Sequence, residues 1–184
     1  MGCGSGILSI VGMKLGAGCA LGLDIDDNAS RISVENAGIN EIDAEYLCVK
    51  GNEEDALGSS LENKTASMAL DFKDVNCGST LSEGKIELKE SGIRFFTGNV
   101  LEDAELCEKI GFDRFDVVVA NILADIIIPL STVCSKYIRK GTLFVSSGII
   151  NSKEDAVRKA LLDNDFEIIE VLHMNDWVAF VAKK

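Results

Sequence analysis

Apolar and polar positions alternate along this chain with two periods, one helical and one strand-like. Ile7, Leu8, Ile10, Val11 and Leu15 follow a helical spacing directly after a glycine-rich turn, and Gly16 is placed to close the segment, so residues 6–16 read as a first helix. Residues 19–24 read as a strand that ends in Asp24. Asp26, Asp27 and Asn28 are cap candidates for a second helix through about Ala37, with Gly38 following it. From residue 40 to 92 the apolar residues are isolated and no period persists. That is too long for an ordinary connection inside a compact domain, so residues 49–90 read as a flexible insertion with a weak hairpin near Lys85–Leu88.

Order resumes at Ile93-Arg94-Phe95-Phe96-Thr97, a strand ending at Gly98-Asn99, followed by an acidic helix around Asp103–Ile110. Phe115–Ala120 carries a β-branched run that marks a strand buried on both faces, ending at Asn121. A helix over Asp125–Ile138 is expected despite Pro129, which is read as lying in or near the first turn; Arg139-Lys140-Gly141 closes it. A strand at Thr142–Ser146 and a helix capped by Asn151 or Ser152 and running to Asp163 come next. Phe166–Leu172 and Asp176–Ala182 flank His173-Met174-Asn175 and predict an antiparallel hairpin. The whole is an α/β fold, 1–184, with a mainly parallel sheet and a C-terminal antiparallel hairpin. Ligands in such sheets bind beyond the carboxyl ends of the strands, where Gly2–Gly6, Asp24, Asn99 and Asn121 all fall.

The turn Gly2-Cys3-Gly4-Ser5-Gly6 changes this picture from architecture to chemistry. Glycine lets a backbone approach a ligand closely, and the first helical turn offers free N–H groups. Asp24, at the end of the next strand, is placed to accept from ribose hydroxyls. The dinucleotide fingerprint would need glycine at position 7, where this chain has Ile7. G-x-G-x-G followed by an acidic residue instead resembles the S-adenosylmethionine site of Rossmann-like methyltransferases, with Gly2, Gly4, Gly6, Asp24, Asn99 and Asn121 as the candidate cofactor contacts.

Composition narrows the classes further. At 184 residues, 47% hydrophobic and 26% charged, the chain can bury one proper core. A net charge of −12 argues against direct nucleic-acid binding and is compatible with a basic protein partner. No stretch has the length and apolarity of a membrane span, and no basic leader precedes an apolar run. The six cysteines lack C-x-x-C spacing and read as reduced thiols, which points to the cytoplasm rather than to a disulfide framework or a zinc site. Glu53-Glu54-Asp55 reads as a solvated loop and no metal site is expected.

Longer segments sharpen the resemblance. Gly2–Ile10, Gly22-Leu23-Asp24-Ile25-Asp26, Val118–Asp125, Ser147-Gly148-Ile149-Ile150 and Asp176-Trp177-Val178 together resemble the bacterial methyltransferases of large-subunit ribosomal protein eleven. Release-factor glutamine methyltransferases would carry Asn-Pro-Pro-Tyr or Asn-Pro-Pro-Phe where this chain has Asn121-Ile122-Leu123-Ala124. The resemblance implies methyl transfer from S-adenosylmethionine to lysine and N-terminal amines of a basic ribosomal protein by a monomer, with Gly2, Asp24 and Asn121 as cofactor contacts. An amine must be neutral to attack, and the Asn121 carboxamide can accept from it without favouring the ammonium as an aspartate would. Asn121 is therefore the expected catalytic residue. Asn99 is expected to border the adenine from its position. Trp177 is read either as lining the substrate side or as a core aromatic, and His173 as a solvated turn residue. Measured against the family pattern, the first strand, ahead of Gly2, is missing, as are the N-terminal recognition domain and its linker. The chain therefore reads as an N-terminally incomplete catalytic domain with weak affinity for S-adenosylmethionine. The alternatives are a methyltransferase of another amine and an inactive binding or scaffold fragment.

Overall fold

The computed structural model describes residues 1–47 and 91–184. The segment read as an insertion, its hairpin near Lys85–Leu88 and the acidic run at 53–55 lie outside the described residues. Five helices and seven strands are described: α1 (Ile7–Lys14), β1 (Cys19–Asp24), α2 (Asp27–Ile39), β2 (Ala44–Leu47), β3 (Gly92–Thr97), α3 (Ala104–Ile110), β4 (Phe115–Asn121), α4 (Ala124–Tyr137), β5 (Ile138–Ile150), α5 (Glu154–Asp163), β6 (Glu167–Met174) and β7 (Trp177–Lys183). Among the described residues no helix is long and apolar enough to cross a membrane.

The strands form two sheets. β1, β3 and β2 pair in parallel in the order β1-β3-β2. The second sheet has the order β4-β5-β7-β6, with β4–β5 parallel and both β5–β7 and β7–β6 antiparallel. The alternation of strands and helices and the terminal hairpin are thus as the hydrophobic pattern dictates. Among the described residues no strand lies between β1 and β4, and each of them is paired on one side only.

That gap corrects the reading of β4. Its β-branched run predicts burial on both faces, yet Val117 is 49% exposed and only its distal half, around Val118 and Ala120, is buried. The run is composed for the middle of a parallel sheet, but among the described residues only β5 pairs with it.

Elsewhere the departures have local causes. α2 starts where Asp26 accepts from the Asn28 N–H at 2.9 Å, and it runs through Gly38 to Ile39 rather than stopping at Ala37. β2, a four-residue edge strand, falls in the region read as patternless; so short a strand has too few alternations to register. Pro129 sits in the second turn of α4, inside the helix rather than at its start. Arg139-Lys140-Gly141 belongs to β5, which begins at Ile138, directly after the helix. A single 3₁₀ turn at Asn151–Lys153 precedes α5. The last hairpin turns on Asn175-Asp176 with Asn175 at φ 53°, so His173 and Met174 are strand residues.

Two packed clusters hold the layers. The larger one joins α4 and α5 to the second sheet through Ile127, Leu130, Phe144, Leu161 and Phe180, all essentially inaccessible. The smaller joins α1 and α2 to the first sheet through Ile10, Ala37, Ile93 and Phe95. Within it the Phe95 ring lies across Gly22: a Cβ built there would sit 2.3 Å from Phe95 Cδ1. The ring is fully buried and cannot swing away. Gly22→Ala is therefore expected to cost about 1–3 kcal/mol through overpacking, read as a lower denaturant midpoint at unchanged slope.

Candidate active site

The first six residues fold into a turn in which Gly2, Gly4 and Gly6 all take left-handed φ, at 66°, 55° and 79°. Such angles favour glycine, and at Gly6 an added Cβ would also lie 2.9 Å from Ser33 Cβ. The Gly6 N–H closes on the Cys3 carbonyl at 2.8 Å, and Gly6 is the N-cap of α1 without any side-chain cap. The unsatisfied N–H groups of that helix start therefore face outward beside the turn.

Asp24 ties the turn to the sheet. Its Oδ2 accepts from the Gly4 N–H at 2.8 Å, and its Oδ1 accepts from the Asp26 N–H at 3.1 Å. One residue earlier, the Cys3 N–H donates to the Leu23 carbonyl at 2.8 Å. Each Asp24 oxygen thus spends one acceptor position on the backbone and keeps lone-pair capacity toward solvent. A Cβ at Gly4 would meet nothing within 4 Å, so the open space beside the turn lies next to this carboxylate.

The opposite side of the turn is held by α2, a role the sequence reading missed. Ser33 Oγ contacts the Gly4 carbonyl at 3.1 Å and the Ala29 carbonyl at 2.8 Å, and Asn36 Nδ2 donates to the Ser5 carbonyl at 2.8 Å. Ser33 is fully buried, and the signal for it was a polar residue on the inward face of an amphipathic helix. The Cys3 thiol lies 3.5 Å from the same hydroxyl. Burial raises its pKa, the Ser33 hydrogen bond opposes that, and the nearby Asp24 charge adds to the rise, so it is a neutral packing group at pH 7.

Asn99 and Asn121 close the same end of the molecule. The Gly98 N–H donates to the Asp24 carbonyl at 2.8 Å, which sets Asn99 next to Asp24. Asn99 Oδ1 accepts from the Leu101 N–H at 3.0 Å, so its acceptor caps its own loop and its amide is the group left for a ligand. Asn121 is exposed at the end of β4, opposite Ser147 of β5. Gly148, at φ 79°, lies against it: a Cβ there would stand 2.9 Å from the Ile122 carbonyl and 3.0 Å from Asn121 Oδ1. Ile122 in turn packs on Gly2, where an added Cβ would lie 2.5 Å from Ile122 Cγ2. All six residues singled out from the sequence therefore gather at one edge.

Two other candidates stand elsewhere. Trp177 is half-exposed at the start of β7, opposite Ile150, and is no core aromatic. His173 lies within β6 and bonds Glu154 at 2.7 Å; that hydrogen bond and the one from Arg158 hold the Glu154 carboxyl below its ordinary range. This is a surface ion-pair arrangement away from the glycine turn.

The family model described as Ribosomal protein L11 methyltransferase matches residues 1–66 and 97–184. A ribosomal protein L11 methyltransferase of Lachnoclostridium phytofermentans is 44% identical over the whole chain, which spans 45% of that protein's length. The crystal structure of a ribosomal protein L11 methylase from Lactobacillus delbrueckii subsp. bulgaricus superposes with a TM-score of 0.66 at 23% identity, covering 100% of this chain and 67% of that one. An RNA methyltransferase from Salinibacter ruber, solved in complex with S-adenosyl-L-homocysteine, shares the fold at TM-score 0.53 and 12% identity, covering 99% of this chain and 76% of that one. The α/β fold is thus the Rossmann-like methyltransferase fold.

Removing the Ser33 hydroxyl tests whether α2 holds the turn. Ser33→Ala is expected to lower stability by about 1 kcal/mol and to speed amide exchange at Gly4–Gly6 more than elsewhere. Uniform acceleration across the chain would assign Ser33 to general packing instead.

Proposed function

The chain belongs to the ribosomal protein L11 methyltransferase family, and from that premise we propose that it carries the catalytic site for methyl transfer from S-adenosylmethionine to amines of that ribosomal protein. The observation that carries the reading is the Gly4 N–H bond to Asp24 Oδ2, which fixes a carboxylate beside an open glycine turn. When bound, S-adenosylmethionine supplies an electrophilic methyl group. The residues present fit it: Asp24 would accept from the ribose hydroxyls, the Gly2–Gly6 backbone would allow close approach of the amino-acid end, and the Asn99 amide would border the adenine.

Asn121 does the positioning. Its exposed carboxamide oxygen accepts a hydrogen bond from the substrate amine, which fixes the direction of the nitrogen lone pair. A neutral acceptor leaves the amine uncharged, whereas a carboxylate would favour the ammonium and remove the nucleophile. No general base is required if the amine arrives neutral. Its proton leaves after transfer, when the methylated ammonium returns to water. The −12 net charge of the chain favours encounter with a basic protein substrate. The protein acts as a monomer in the cytoplasm.

Calorimetric titration of S-adenosylhomocysteine into the folded chain tests the pocket. Asp24→Asn is expected to weaken binding roughly 10- to 100-fold, the worth of hydrogen bonds to a charged group. Equal affinity in parent and variant would remove Asp24 from the site. Asn121→Ala is expected to lower methyl incorporation into ribosomal protein L11 by about 10²-fold at saturating S-adenosylmethionine, measured with the radiolabelled cofactor. Incorporation within about threefold of the parent would end the positioning role.

A further inference from the structure

Three carboxylates stand within four residues where β1 gives way to α2: Asp24, Asp26 and Asp27. The chain itself uses two of them. Asp26 caps α2 by accepting from the Asn28 N–H at 2.9 Å. Asp27 accepts through Oδ2 from Arg31 Nε at 2.8 Å and through Oδ1 from the Tyr46 hydroxyl. Tyr46 lies in β2, the strand of this sheet farthest from β1, so the bond ties the start of α2 across β3.

That tie belongs to a small polar group at the strand ends. Thr97 Oγ1, in the last residue of β3, lies 3.3 Å from the Tyr46 hydroxyl, 3.4 Å from Asp27 Oδ1 and 3.2 Å from Ser30 Oγ. Ser30 Oγ donates to the Phe96 carbonyl at 3.0 Å, so it meets Thr97 as an acceptor. Each hydroxyl has one proton, and the order is therefore Tyr46 to Asp27, and Thr97 to Ser30 to the Phe96 carbonyl. Tyr46 and Ser30 are buried, while the cluster under the same helix is apolar, with Ile10, Ala37, Ile93 and Phe95. Apolar side chains could fill this place too. Hydroxyls add direction, because a hydrogen bond constrains angle as well as distance.

The constraint reaches Asp24. Its Oδ1 accepts from the Asp26 N–H at 3.1 Å and its Oδ2 from the Gly4 N–H at 2.8 Å. Asp26 immediately precedes Asp27, so the place of its N–H is set by where the first turn of α2 is fastened. We propose that Asp27 is a positioning residue: through Tyr46, with Thr97 beside it, it fastens the start of α2 to the ends of β2 and β3 and thereby aims the Asp24 carboxylate. The consequence for ligand affinity rests on the reading of Asp24 as the ribose acceptor; the aim of the carboxylate does not.

Tyr46→Phe removes the hydroxyl and keeps the ring, over which the Arg31 guanidinium lies 5.8 Å from the centroid. In the free chain, amide exchange at Gly4 and Asp26 is expected to speed by about tenfold relative to β5 and β7. Calorimetric affinity for S-adenosylhomocysteine is expected to fall about 3- to 10-fold, the worth of one hydrogen bond. Asp27→Ala should match Tyr46→Phe in both readouts, and the double variant should be no worse than either alone. Asp27→Asn keeps an acceptor for Tyr46 and should stay within about twofold of the parent in both. Circular dichroism checks that each variant is folded. The proposal is overturned if exchange at Gly4 and Asp26 is unchanged or rises only with the rest of the chain, or if Asp27→Asn is as damaging as Asp27→Ala. Faster exchange with parental affinity also overturns it, since the aim of Asp24 would then not matter to the ligand. A parent that binds no S-adenosylhomocysteine but shows the exchange changes would leave Asp27 in this role and remove the cofactor reading instead.

Discussion

One hydrogen bond, from the Gly4 N–H to Asp24 Oδ2, is the constraint on which the site depends. A glycine turn by itself is a loose object, because glycine loses more conformational entropy on ordering than any other residue. Here the turn is fixed from two directions. β1 fixes it through Asp24 and the Leu23 carbonyl, and α2 fixes it through Ser33 and Asn36. The consequence is a backbone held open beside a carboxylate before any ligand arrives, so less of the binding energy goes into ordering it.

Much of this was legible in the sequence because the relevant signals are local. Left-handed turns favour glycine, strand ends declare themselves where apolar runs stop, and Asp24 follows such a run directly. The six candidate residues that gather at one edge were therefore readable from type and spacing. Ser33 and Asn36 were not, since their partners are carbonyls about thirty residues away, and no spacing rule links a helix-face serine to a distant turn. Gly148 belongs to the same class. Its need for glycine comes from the Ile122 carbonyl and Asn121 Oδ1 on a neighbouring strand.

The architectural departures share a single cause, in that tertiary context outweighed local preference. β5 runs through Arg139-Lys140-Gly141 because Ile138 pairs with Phe115 of β4 directly after the helix; the register then jumps to Val117–Leu143, so these residues bulge out of the ladder instead of closing a helix. Pro129 is tolerated inside α4 because burial of Ile127, Leu130 and Cys134 on the same helix offsets the lost backbone bond. β4 shows the converse: its composition is that of a central strand, and among the described residues it pairs with one strand rather than two.

The pairing pattern also orders the two halves of the molecule in time. β6 and β7 meet across the Asn175-Asp176 turn, and β4 and β5 are linked through one helix, so the second sheet closes short loops. In the first sheet Cys19 pairs with Gly92, and β1 and β3 can meet only after the whole of residues 48–90 has been spanned. Closure entropy rises with the length enclosed, and folding slows as contacts become less local. The helix-backed hairpin half is therefore the natural nucleus. The glycine turn, which borrows its anchors from β1 and α2, is among the last parts of the chain to acquire its shape.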